Sequence, residues 1–136
     1  MAVRLKLRLR KGRVTKEFSA LVNSGYEAET PQLLIPMGLA NEMALWPPPP
    51  ESTETFFNTA GGPLKVWVLQ KAAKVSVVVE DTQPKEVEID LVISSMADEP
   101  LISDKLAGAL EIALEDIAEG LWRFKWEPKE KIRKSV

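Results

Sequence analysis

Neither histidine nor cysteine occurs among the 136 residues of this chain, which narrows the chemistry open to it. Without imidazole or thiol there is no Ser-His-Asp or Cys-His nucleophile, no His-bound zinc and no disulfide. Hydrolysis would have to rest on carboxylates, lysine or an all-oxygen metal site. Glu111, Glu115, Asp116 and Glu119 fall at helical spacing but read as a solvated face, and no cluster offers the ligands of an octahedral ion. No metal and no cofactor is expected. The polar residues that stand out lie in SALVNSGYEAETPQLLIP, Ser19 to Pro36. An apolar strand runs into the tight turn Asn23-Ser24-Gly25, a short polar loop follows, and a second apolar run, Leu33-Leu34-Ile35, stops at Pro36.

The elements that must hold this turn are mostly strands. Leu5, Leu7 and Leu9 alternate with Arg4, Lys6, Arg8 and Arg10, predicting two strands around a turn at Lys11-Gly12, apolar on one face and basic on the other. TETFFNTAGGPLKVWVLQ predicts a hairpin with its turn at Thr59 to Pro63, and AKVSVVVED and EVEIDLVIS predict strands flanking a turn near Asp81 to Pro84. Pro47 to Pro50 cannot join a central strand and read as a stiff surface connection. The one strong helical pattern is SDKLAGALEIALEDIAEG, capped at Ser103, with Leu106, Ala107, Leu110 and Ala113 on one face. Periodicity alone would carry that helix to Glu119, yet Ile112 and Leu114 also alternate, so a short helix followed by a strand is equally allowed. The expected fold class is a mostly-β single domain spanning 1–136.

Composition sets the setting. With 45% hydrophobic and 28% charged residues the chain is globular, and no apolar run approaches the ~20 residues of a membrane span. MAVRLKLRLRKGR has no separate apolar segment or cleavage site, so a cytoplasmic protein without membrane partners is expected. The basic strand face suggests phosphate contacts, but alternating charge usually keeps a sheet edge soluble, the net charge is −2 and the tryptophans lie elsewhere in sequence. Nucleic-acid binding is therefore the lesser alternative. Trp122, Phe124 and Trp126 alternate as a strand would and are expected to pack at a core or an interface.

In order and spacing these features resemble the retropepsin-like aspartic proteases, the single-domain relatives of retroviral protease. In that family a strand ends in Asp-Thr/Ser-Gly, a polar loop follows, and the chain returns through an apolar segment; Leu21 to Gly25, Ala28-Glu29-Thr30 and Leu33 to Pro36 match that layout. TAGGPLKV resembles the glycine-rich tip of the family's flap hairpin. EPLISDKLAGALEIALED is similar to its late segment, in which an apolar pair and a glycine lead into a short helix and then a strand, although Ser103 stands where glycine is usual. GLWRFKWEP is similar to a terminal strand used in dimer contacts.

The resemblance implies a closed, mostly antiparallel acid-protease fold with a flap. Its site residues would be Asn23, Ser24 and Gly25 at the catalytic turn, with Ala28, Thr59, Ala60, Gly61 and Gly62 contacting a peptide or protein substrate. Two carboxylates sharing one proton perform the family's chemistry, one activating water and the other polarising the scissile carbonyl. No Asp-Thr/Ser-Gly occurs, since Asp81-Thr82 continues to Gln83, so the site would form across the two-fold axis of a homodimer. Asn23 stands at the aspartate's position, and an amide cannot act as general base. An inactive form of an aspartic endopeptidase is implied, either an inactivating Asp-to-Asn change, favoured because the flap glycines are intact, or a natural pseudoprotease that binds peptides. Terminal strands, parts of VRLKLRL and LWRFKW, would contribute to the dimer interface.

Overall fold

A computed structural model describes residues 1–136. About half the chain, 49%, is strand and 9% is helix. Strand β1 (Arg4–Lys11) pairs antiparallel with β2 (Val14–Val22), and the alternation puts Leu5, Leu7 and Leu9 wholly inside. Then come β3 (Gln32–Pro36), helix α1 (Met37–Glu42), β4 (Thr53–Thr59), β5 (Gly62–Val77), β6 (Val87–Ser94), β7 (Leu101–Ile102) and helix α2 (Asp104–Ala109). The chain ends with β8 (Ile112–Asp116), β9 (Leu121–Phe124) and β10 (Arg133–Lys134). Strands run β1-β2-β7-β3-β6-β5 and back to β1, closing a six-stranded barrel, with β4 hanging outside β5. Closure leaves those six strands without a free edge. Two pairings in the ring, β2–β7 and β3–β6, are parallel and the others antiparallel. No helix is long and apolar enough to cross a membrane.

Between the two outcomes that periodicity left open for 103–119, the short helix holds. Ser103 caps α2, Leu110 ends it, and Glu111 at φ 61 turns the chain so that Ile112 and Leu114 enter β8. Cross-strand pairing of Ile112 with Phe124 and of Leu114 with Trp122 overrides local helix propensity. Helix α1 was not expected; its six residues follow Pro36 and bury Ala40, and Met43 and Leu45 just beyond it also enter the core. Nor are LKVWVLQ and AKVSV separate strands. They form the single 16-residue β5, bent at an irregularity between Leu69 and Ala73 where Lys71 has φ 47. Asp90 Oδ1 accepts the Lys71 backbone N–H at 2.8 Å and so satisfies the bend.

The expectation that VRLKLRL and LWRFKW are edge strands needs correction. β1 is flanked by β2 and β5, while β9 lies between β8 and β10 of the same chain, so neither offers an unpaired edge. Trp122 and Phe124 belong to the main core, and only Trp126, stacked on Phe124 at 4.2 Å, remains half exposed. The basic face is likewise not a free cationic stripe. Arg4 pairs with Glu99 at 2.8 Å, Arg8 and Lys6 with Glu17 at 2.7 and 3.4 Å, and Arg10 with Glu86 at 2.9 Å.

The C-terminal segment is fastened by an ionic cluster. The nearly buried Glu127 carboxylate accepts Arg133 Nη2 at 2.7 Å and the Phe124 N–H at 3.0 Å, while Asp81 accepts from Arg133 and Lys131. The Arg133 guanidinium holds Glu127 down to about 2, and holds Asp81 well below the usual carboxylate range with help from Lys131. A carboxylate with a depressed folded-state pKa stabilises above its ordinary pKa, and that contribution disappears as pH falls through the folded-state value. Thermal midpoints should therefore fall steadily from about pH 5 towards pH 2, and Glu127→Gln should flatten that dependence; scanning calorimetry of both proteins across this range checks it.

Candidate functional site

The turn after β2 is fixed from three directions. The Asn23 N–H donates to Ile102 O at 3.1 Å, extending the parallel β2–β7 pairing, and Asn23 O accepts the Tyr26 N–H at 3.0 Å, closing the turn. Asn23 Oδ1 accepts the Gly25 N–H at 3.1 Å. A Cβ at residue 25 would lie 3.3 Å from that oxygen, so glycine suits the close approach of the side chain to its own turn. Ser24 is exposed and its hydroxyl finds no partner in its own chain.

The loop beyond the turn is held by the start of α2. Asp104 donates its backbone N–H to Tyr26 O at 2.9 Å and accepts the Ala28 N–H on Oδ1 at 2.9 Å; that second bond holds the Asp104 carboxyl below its ordinary range. The fully buried Ser103 Oγ accepts from both Leu106 N at 3.1 Å and Gln32 N at 3.0 Å. Ser103 has φ −70 and ψ 165, an extended conformation that any residue adopts. Serine in place of glycine therefore costs no strain here, and its hydroxyl joins the helix cap to the first residue of β3.

The second wall is the β4–β5 hairpin, whose strands meet at Thr59 and Gly62 across Ala60-Gly61. Thr59 Oγ1 accepts the Gly61 N–H at 3.2 Å and donates to Gly62 O at 2.6 Å, which stiffens the tip. Turn and hairpin touch through Tyr26 and Phe57, whose ring centroids are 6.1 Å apart over a small cluster built on Leu34, Val66 and Val92. Burial pushes the Tyr26 hydroxyl pKa up, and the group instead donates to Gln32 Oε1 at 2.8 Å.

Between these walls lies a groove of about 800 Å³. Of the residues singled out in the sequence, Asn23, Gly25, Ala28, Thr59 and Ala60 line it, whereas Ser24, Gly61 and Gly62 do not. Sequence reasoning missed Tyr26, Glu27, Glu29 and Phe56, which line it as well. The FF pair inside a strand pattern was the available signal for Phe56, because one of two adjacent strand residues must face away from the sheet's packed side. As it stands, Asn23 offers the groove an amide, able to donate and accept hydrogen bonds but carrying no titrating proton. No family model matches the sequence, and no match is found among curated proteins.

Proposed function

We propose that this chain is a retropepsin-like aspartic protease domain that assembles as a symmetric homodimer, with asparagine at the position of the catalytic aspartate. The observation that carries this reading is the groove itself: the Asn23 turn and the hairpin tip at Thr59 and Ala60, 36 and 37 residues further along the sequence, line one cavity. β4 hangs outside the barrel on one neighbour, β5, which suits the hairpin tip to act as a flap over an extended peptide. The order of parts along α2 and β8 agrees with the same reading. Two such turns brought together on a two-fold axis would place two side chains at residue 23 face to face. With Asp at both, like charges at close range would share one proton, supplying a general base and a general acid at once. With Asn at both, the dimer binds peptide and leaves it intact.

Because β1 and β9 are interior strands, the proposed dimer contact is drawn at the rim of the groove and the exposed turn around Ser24. Sedimentation velocity at micromolar concentration should give a dimer of twice the 15.1 kDa chain mass. A strictly monomeric boundary would remove the composite site.

A further inference from the structure

We infer that the groove selects extended peptides that carry a basic side chain beside bulky apolar ones. This rests on the peptide-groove reading and adds a substrate class to it. Phe56, Phe57, Asn58 and Thr59 are consecutive in β4, so their side chains point alternately to opposite faces, yet all four line the groove. A groove touched by both faces of a strand runs along that strand's edge. β4 is the last strand of its sheet and pairs only with β5, so its other edge carries unpaired backbone groups. An extended chain laid there gains main-chain hydrogen bonds whatever its sequence, and the side-chain surroundings decide which sequence is preferred.

Those surroundings are apolar and acidic. Phe56 is 62% exposed, an apolar wall with nothing covering it. Glu27 and Glu29 line the groove, both are exposed, and neither forms an ion pair. No lysine or arginine lines it. On the hairpin, Lys65 is tied to Glu54 at 2.8 Å, and Lys105 stands beside the Asp104 carboxylate. A peptide cation placed along β4 thus meets two uncompensated carboxylates, whereas a peptide carboxylate is repelled by both.

The test uses the full chain, which binds without turnover, and fluorescence anisotropy with labelled octapeptides of Phe, Leu and Ala carrying Lys, Gln or Glu at one central position. The Lys peptide should bind about tenfold more tightly than the Glu peptide at low salt, with the Gln peptide between them. Added salt should narrow the ratio. Combined Glu27→Gln and Glu29→Gln should bring it close to unity while the Gln peptide still binds, and Glu130→Gln, remote from the groove, should leave it unchanged. Equal binding of all three peptides would overturn the charge preference and leave the peptide groove standing. Failure of every peptide to bind a folded protein, as when a second copy occupies the β4 edge, would overturn both.

Discussion

Asn23→Asp should create peptidase activity if the proposed dimer forms. Removing a general base typically costs ~10²–10⁴-fold, and in the proposed dimer the charge is absent from both halves of the site, so the gain on restoring it should be at least that large. The turn is ready to accept the change, because the oxygen that takes the Gly25 N–H at 3.1 Å is present in the carboxylate as in the amide. A dyad that shares a proton cleaves from acid to near-neutral pH, and a statine-type hydroxyl placed where water attacks should block it. Cleavage of denatured protein and of a peptide library across pH reads the effect. Intact mass must accompany the assay, since Asn followed by Ser deamidates slowly to aspartate and would mimic activity in the parent. Equal inactivity of both proteins as confirmed dimers would leave a peptide-binding module as the better account.

The second large effect is expected at Ser103. Ser103→Ala removes one acceptor that serves two backbone N–H groups, Leu106 at the helix start and Gln32 at the start of β3, in a position with no solvent exposure. Loss of a cap costs about 1 kcal/mol, and a buried donor left without a partner adds about 1–3 kcal/mol, giving about 2–4 kcal/mol in all. Urea unfolding with an unchanged slope would measure it. Since Ser103 ties α2 to the strand that carries the loop back from Asn23, peptide affinity should weaken in the same variant even where it remains folded. A loss below about 0.5 kcal/mol would mean that the two N–H groups find other partners.

How far the sequence could be read depended on whether one short segment determined its own neighbours. Alternation of Leu5, Leu7 and Leu9 was enough for the first hairpin, because a half-buried strand must alternate and the Gly12 turn fixes the register. Ser103 was legible as a cap for the same local reason. What stayed hidden was decided by distant pairing. Ile112 and Leu114 suit a helix and a strand equally until Phe124 and Trp122 arrive beside them. Helix α1 is too short for periodicity to show, and the bend in β5 depends on Asp90, 19 residues beyond Lys71. At the groove, Asn23, Thr59 and Ala60 were legible as turn chemistry. Glu27, Glu29 and Phe56 were not, because exposed residues owe their role to what lies across the gap. VRLKLRL and LWRFKW could not be told from edge strands, because their second neighbours, β5 and β10, are supplied by distant parts of the chain.

Whether the site is composite is tested most directly by mixing. Purified Asn23→Asp protein is re-equilibrated with an equal amount of the unaltered chain, and peptidase activity per variant subunit is compared with that of the variant alone. Random pairing leaves about half of the variant subunits facing an asparagine, so a site that needs a carboxylate from each subunit should lose about half of its activity, falling further as more parent chain is added. Activity per variant subunit that stays constant while subunit exchange is confirmed by mass would contradict a shared dyad at residue 23.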